Sequence, residues 1–379
     1  MALEELRVKM DDINHKMVEL FVERMKTSME IANYKAENGL PILDKSRERK
    51  ILSEMAKCAG EPYDNYTDIL FNTLFELSRT YQSGVVGGNG EIASAIEEAV
   101  KKTSALFPTR AVVACQGVEG AYAQMACDKI FPHADIIYFQ RWDDVFQAVE
   151  KGLCKYGVLP IENSTHGSVS GVYDLMKKHS FHIVRSAKLR ISHTLLANRG
   201  TDMSKIRNIY SHEQAIGQCS EFLRSNPNIK VHVCENTAMA AKMVAESGRD
   251  DVAAISSKNC AELYGLKILS EDIQNSDNNY TRFICISRGL EIYPGASKLS
   301  LMMTLPHRPG SLAGMLSRFS MMGLNLTKLE SRPIPGKDFE FMFYFDLEAS
   351  VMSPAVIRML DELNNGTGTF VFLGNYTEI

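Results

Sequence analysis

The stretch VLPIENSTHGSVSGVYDLM (residues 158–176) decides how the middle of the chain is read. An apolar run breaks at Pro160, and Glu162, Asn163, Ser164, Thr165, His166, Gly167, Ser168 and Ser170 intervene before helical spacing resumes. A buried strand that ends in so many small hydrogen-bonding groups has two explanations. One is capping, since Ser, Thr and Asn side chains satisfy the free N–H groups that open a helix. The other is a ligand, because open α/β sheets bind small molecules at the carboxyl ends of their strands. Short apolar strands near 111–115, 155–159, 206–210, 230–234, 252–255 and 282–286 flank it, separated by amphipathic helical spacing. That βαβ rhythm over 109–290 predicts a two-lobed α/β unit with a cleft.

Further along, IYSHEQAIGQCSEFL (209–223) reads as a strand entering a helix. Ser211 and Gln214 fit an S-x-x-Q capping box. Capping does not explain Gln218, one turn on from Gln214, nor Asn236-Thr237 ahead of a helical run, nor the polar NSDNNYTRF (275–283). Hydroxyls and amides therefore gather at strand ends without a strong base or a nucleophilic cysteine, and helix N-termini attract carboxylates. The eight cysteines are scattered, with no Cys-x-x-Cys pair and no metal-ligand spacing, so neither a metal nor a disulfide framework is expected.

The flanking segments differ in kind. Leu6, Met10, Ile13, Met17, Leu20, Ser28 and Ile31 alternate by three and four, which predicts one helix of about 35 residues, about 50 Å long. Helices at 46–58 and 64–82 follow, and SGVVGGNGE (83–91) reads as a linker, since no strand precedes it. Arg24 interrupts the apolar stripe, and Lys35 returns to within about 20° of the same face. Arg7 lies about 100° off that line and about 25 Å away, so it could meet the same small ligand only from a second copy of the chain. With Asp44, Arg47, Glu48, Ser78 and Gln82, this spacing fits either a solvated, salt-bridged coil or an internal anion pocket. Residues 297–379 follow a βαββαβ order, the pattern of a ferredoxin-like sandwich.

On these residues the chain resembles three families. LRVKMDDINHKMVELFVERM, ILDKSRERKIL and ELSRTYQ, within 1–88, resemble the all-helical chorismate mutases. The resemblance implies a dimer that swaps its long helices. Arg24, Lys35 and Arg47 would hold two carboxylates and an ether oxygen, and Arg7 would arrive from the partner. Asp44 and Glu48 would meet the hydroxyl end, Ser78 and Gln82 would complete the pocket, and Lys35 and Gln82 would serve the ether oxygen. GVEGAYAQMA, GVLPIENSTHGSV, YSHEQAIGQC and NNYTRF, within 109–290, resemble the prephenate dehydratases, a family with a two-lobed fold like that of periplasmic binding proteins. That likeness implies Thr281 as the donor to a departing hydroxide. Asn163, Ser211, Gln214 and Gln218 would position substrate, Glu162 would orient them, and Ser164, Thr165 and Phe283 would line the site. Arg282 would be a carboxylate anchor or a structural salt bridge. HRPGSLAGML and LNLTKLESRP, within 297–379, resemble an ACT regulatory domain. Gly310, Ser311, Leu312, Ala313, Glu330, Ser331, Arg332 and Pro333 would then bind phenylalanine at a dimer interface, with Ala313 smaller than the family's usual valine.

Together these resemblances imply a bifunctional enzyme of phenylalanine biosynthesis. It would turn chorismate into prephenate and prephenate into phenylpyruvate, without cofactor or metal and under feedback by L-phenylalanine. Two rivals are an arogenate-preferring dehydratase and a non-catalytic two-lobed amino-acid sensor fused to a mutase. The net charge of −4 gives no general attraction to nucleic acid or anionic membrane, and no apolar run approaches the length of a membrane span. The expectation is a cytoplasmic homodimer or homotetramer acting on small molecules.

Overall fold

The computed structural model describes residues 3–40, 44–86, 90–336, 340–366 and 368–379. They form two compact units: Met1–Glu97 with Met302–Leu329 and Pro333–Val371, and Glu98–Leu301 with Glu330–Arg332 and Phe372–Ile379.

The first unit is built on helices α1 (Leu3–Glu37), α2 (Lys45–Ala59) and α3 (Asp64–Val86). Helix α1 runs unbroken because no Gly or Pro occurs within it. Helix α3 packs against both α1 and α2. In the single chain α1 buries just Ala32 among its described residues, while Leu6, Met10, Ile13, Met17 and Leu20 remain between 41% and 65% exposed. The linker read at 83–91 is shorter than expected. Helix α3 continues to Val86, α4 (Glu91–Lys102) starts soon after, and 87–89 lie outside the described residues. The Asp361 carboxylate accepts from the N–H groups of Gly90, Ile92 and Ala93 and so caps α4.

The second unit holds the α/β region. Its first layer contains β1 (Val112–Gln116), α5 (Tyr122–Ile130), β2 (Asp135–Phe139), α6 (Trp142–Glu150), β3 (Tyr156–Asn163), β4 (Gly167–Ser168), α7 (Ser170–Met176) and β5 (His182–Arg190). The chain then crosses into a second sheet through β6 (Thr194–Ala197), β7 (Asn208–His212), α8 (Glu213–Gln218), α9 (Ser220–Arg224), β8 (Lys230–Cys234), α10 (Thr237–Ser247), β9 (Val252–Ser256), α11 (Asn259–Leu263) and β10 (Lys267–Ser270). It returns through β11 (Tyr280–Ser287). The first sheet orders these strands β5-β11-β3-β1-β2, with β4 on β3, and the second is β10-β6-β9-β7-β8. Thus two crossings, 191–193 and 271–279, join two sheets. Separate cores stabilise them, one around Phe131 and Tyr156 and another around Leu196 and Val244. Five of these strands, β2, β4, β5, β6 and β10, go beyond the six apolar runs read from the sequence. Strand β5 carries Arg185, Lys188 and Arg190, which break its apolar run, whereas the edge strand β2 has the run Ile136–Phe139 and was passed over.

The C-terminal elements are β12 (Lys298–Thr304), α12 (Ser311–Met321), β13 (Asn325–Pro333), β14 (Phe341–Glu348), α13 (Pro354–Asn364) and β15 (Phe370–Glu378), with strand order β13-β14-β12-β15. Within the first unit, α12 and α13 pack on α3.

At Gly374 (φ 150°) a Cβ would stand 2.2 Å from the Ile183 carbonyl oxygen, so no other residue fits without moving backbone. Gly374→Ala should lower the melting temperature by at least about 5 °C in scanning calorimetry. Gly217→Ala, with open space around its Cβ, should not.

Candidate functional site

A cavity of about 490 Å³ lies in the second unit, walled by residues of both sheets. Its centre is set by the pairing of β3 with β11. Thr281 sits opposite Asn163 and Arg282 opposite Glu162, and the register then slips so that Phe283 faces Pro160. This bulge lets Pro160 and Asn163, three residues apart, both reach the cavity, while Thr281 and Phe283 reach it from β11.

Asn163 is held in one orientation. Its Oδ1 accepts from Thr165 N (3.0 Å), Thr165 Oγ1 (2.6 Å) and His166 N (3.0 Å). Its Nδ2 must therefore face the other way, donating to Thr281 Oγ1 at 2.9 Å and Asn279 Oδ1 at 2.8 Å. Thr281 accepts from Asn163, which leaves the hydroxyl's own proton to donate into the cavity. The residues of 162–168 thus shape the loop and point one hydroxyl at the space beside it.

From the second sheet, Gln218 reaches back to that loop, its Nε2 lying 3.3 Å from Thr165 Oγ1 and 3.1 Å from His166 Nδ1. Its Oε1 is 2.6 Å from His193 Nε2. Burial holds His193 below its ordinary pKa, against the opposing hydrogen bond from Gln218, and burial also lowers His212. Both rings are therefore neutral at pH 7. At the start of α10, Asn236 Oδ1 accepts from Met239 N at 2.7 Å, and Asn236 and Thr237 line the cavity.

Three expectations change here. The capping box does not form: His212 caps α8 by accepting from Gln214 N at 3.3 Å. Ser211 is fully buried and donates to the Ile255 carbonyl at 2.7 Å, a bond between β7 and β9 away from the cavity wall. Arg282 points to the opposite face from Thr281, as strand alternation requires, and pairs with Glu162 at 3.3 Å. Of its two readings, the structural salt bridge is the one found. The cation on the described wall is Arg141, which also pairs with Asp144 at 2.8 Å. Gln116, Tyr122, Arg141, Trp142, His193 and Glu235 also line the cavity and were not singled out in the sequence. For Gln116 and Arg141 the signal was position, since they end or follow β1 and β2. Ser164 ties the loop instead, donating to Asn278 O and accepting from Tyr280 N.

In the helical region, Arg24 Nη1 donates to Ser78 Oγ (2.6 Å) and Leu74 O (3.1 Å), and the guanidinium lies over the Phe75 ring. Burial lowers the Arg24 pKa, though the group remains a cation. Gln82 Nε2 donates to Ser28 Oγ (2.9 Å) and Ser28 O (2.8 Å). The seam of α1 and α3 thereby gathers Arg24, Ser78 and Gln82, with Lys35 half-buried on the same helix as Arg24. Glu48 is held by Arg79, which the sequence reading did not select. Asp44 caps α2, accepting from Ser46 N (3.1 Å) and Arg47 N (3.0 Å), and Arg47 is exposed. Arg7 is exposed and pairs with Glu4 at 3.3 Å.

A smaller cavity of about 360 Å³ lies beside the turn before α12, lined by Ser311 and Leu312 together with His307, Arg308, Phe341 and Phe343. Gly310 opens that helix with φ 83°. Glu330 and Arg332 are engaged elsewhere: Ser168 Oγ donates to Glu330 at 2.6 Å, and Arg332 donates to both carboxylate oxygens of Asp174 at 3.0 and 2.7 Å. No group of three or more His, Cys, Asp or Glu suited to a metal occurs among the described residues. None of the described helices is long and apolar enough to cross a membrane.

Comparison with known proteins adds an independent finding. The prephenate dehydratase family model matches residues 113–290, and the type II chorismate mutase model matches residues 6–83. A bifunctional chorismate mutase/prephenate dehydratase of Enterobacter agglomerans is 32% identical, covering 98% of this chain and 95% of its own length. Arogenate dehydratase/prephenate dehydratase 2 of Arabidopsis thaliana is 38% identical, over 71% of this chain and 73% of that protein. The crystal structure of a prephenate dehydratase from Arthrobacter aurescens in complex with L-Phe matches 70% of this chain and 90% of that chain, with a TM-score of 0.65 and 29% identity.

Because Ser211 bonds within the core, Ser211→Ala should destabilise the protein by about 1 kcal/mol. Chemical denaturation followed by tryptophan fluorescence reads this directly, since Trp142 is the sole tryptophan and lies in the same unit.

Proposed function

The chain belongs to the bifunctional chorismate mutase/prephenate dehydratase family, and we propose how its residues divide the two reactions. It rearranges chorismate to prephenate and then converts prephenate to phenylpyruvate, in phenylalanine biosynthesis. Three domains carry this: 1–88 for the mutase, 109–290 for the dehydratase and 297–379, an ACT domain, for regulation.

The rearrangement needs no nucleophile and no proton transfer. It needs a dianion folded into a reactive conformation and charge stabilised on the breaking ether oxygen, and fixed cations and donors do both. Arg24, held by Ser78, and Lys35 grip the carboxylates with Arg47. Lys35 and Gln82 face the ether oxygen, and Asp44 and Glu48 meet the hydroxyl end. Arg7 completes the site from a second chain. The bare apolar stripe of α1 supports this reading, because an exchange of long helices in a dimer would cover it.

In the dehydratase cavity the orientation of Asn163 is the observation that carries the proposal. The C–C bond to the departing carboxylate breaks, its electrons enter the ring, and the C4 hydroxyl leaves. Thr281 donates its proton to that leaving oxygen. A threonine is a weak acid, and it suffices because aromatisation drives the step. Gln214 and Gln218 position the substrate. Arg141 and the N-terminus of α10, with Asn236 and Thr237, attract its carboxylates. The cavity beside Ser311 and Leu312 takes L-phenylalanine, a reading supported by the Arthrobacter aurescens relative, which was solved with L-Phe. Free cysteines, seven of the eight wholly or partly buried, suit the reducing cytoplasm.

With chorismate or prephenate supplied separately, Lys35→Ala should lose mutase activity at least about a hundredfold and still convert prephenate. Thr281→Ala should accumulate prephenate from chorismate. Loss of both activities in either variant would refute separate sites. A 1:1 mixture of Arg7→Ala and Lys35→Ala chains, unfolded and refolded together, should recover about a quarter of wild-type mutase activity, since each mixed dimer rebuilds one intact site of two. No recovery would refute the shared site.

A further inference from the structure

His193 lies where the chain first passes between the two sheets, in the segment 191–193 that links β5 to β6. Its backbone is tied to the return crossing: His193 N donates to Gln274 Oε1 at 2.8 Å, and Ile273 N donates to His193 O at 3.0 Å. The side chain is 2% exposed, packs edge-on against Tyr122 and reaches Gln218 at 2.6 Å. Gln218 has one amide to share between two neighbours. Its Nε2 faces Thr165 and His166 in the loop that ends β3. Its Oε1 therefore faces His193, and the hydrogen on that bond must come from His193 Nε2. Were the imidazole absent, the amide could turn over and present its oxygen to Thr165, whose hydroxyl is already committed to Asn163.

We propose that His193 is a positioning residue of the dehydratase reaction: from the crossing between the sheets, its Nε2–H fixes the amide of Gln218 so that the amide nitrogen clasps Thr165 and His166 across the cavity. Directed bonds then run from His193 through Gln218, Thr165 and Asn163 to Thr281, each donor passing to the next acceptor. The two walls of the cavity and the orientation of the donating hydroxyl are held by one network, which the crossing segment anchors. Such a network strengthens each of its members. The inference rests on the reading of this cavity as the dehydratase site.

The test uses the full chain and prephenate. His193→Phe keeps a ring of similar size but no donor, whereas His193→Gln restores an N–H at similar reach. His193→Phe should lower kcat for prephenate about a hundredfold with KM changed far less, as misplacement of reacting groups does. His193→Gln should recover most of that loss. The double variant His193→Phe with Gln218→Ala should be no slower than Gln218→Ala alone, since the two act through one bond. Chorismate consumption by the same preparations reports an intact mutase, and their calorimetric melts report whether the cavity-bearing unit is folded. A wild-type kcat in His193→Phe, multiplicative losses in the double variant, or equal losses in Phe and Gln variants that melt like wild type would each overturn the proposal. Failure of the wild type itself to convert prephenate would instead overturn the assignment of the cavity.

Discussion

The antiparallel pairing of β3 with β11 is the constraint on which the cavity depends. It brings Asn163 and Thr281 to the same level of the sheet, where the amide nitrogen and the hydroxyl lie 2.9 Å apart. Strand alternation sends Arg282 to the other face, where Glu162 neutralises it. A register slip on β3 then returns Pro160 to the cavity side, which Phe283 shares with Thr281 by alternation. The loop 163–166 folds around Asn163 Oδ1, so its small polar residues serve shape first and chemistry through shape.

The same logic explains what could be read in advance. Helix α1 was legible because nothing in its sequence interrupts it and its apolar residues keep helical spacing. The stretches ending β3 and opening β11 were legible because polar clusters next to apolar strands are costly unless used. The face on which Arg282 lies was also legible, since strand alternation puts it opposite that of its neighbour Thr281. Its partner Glu162 was not, because that pairing depends on a register set by residues more than a hundred positions away. Ser211 misled for a related reason. In sequence it satisfies a capping pattern, yet its hydroxyl bonds across the sheet to Ile255, and His212 takes the cap. Helix α4 was passed over although Ile92, Ala93, Ile96 and Ala99 keep helical spacing; only its cap, Asp361, comes from the far end of the chain.

The two chemistries make different demands, and the chain meets each with a different architecture. In the proposed division of roles, a rearrangement that only needs its substrate folded and its charge matched would be served by cations on long helices, with Arg24 fixed against Ser78. In the same proposal, a dehydration with a short-lived proton demand would be served by the Thr281 hydroxyl, whose acceptor side is already occupied by the Asn163 amide. Burial holds the cavity histidines His193 and His212 below their ordinary pKa, so the proposed steps call on neither as an acid.

The most direct test of this account is a time course with wild-type protein and chorismate as the sole substrate at neutral pH, following chorismate, prephenate and phenylpyruvate in one reaction. Chorismate should fall, and phenylpyruvate should replace it mole for mole as prephenate rises and decays, the last step slowing when L-phenylalanine is added. A reaction that stops at prephenate would contradict the assignment of the second cavity.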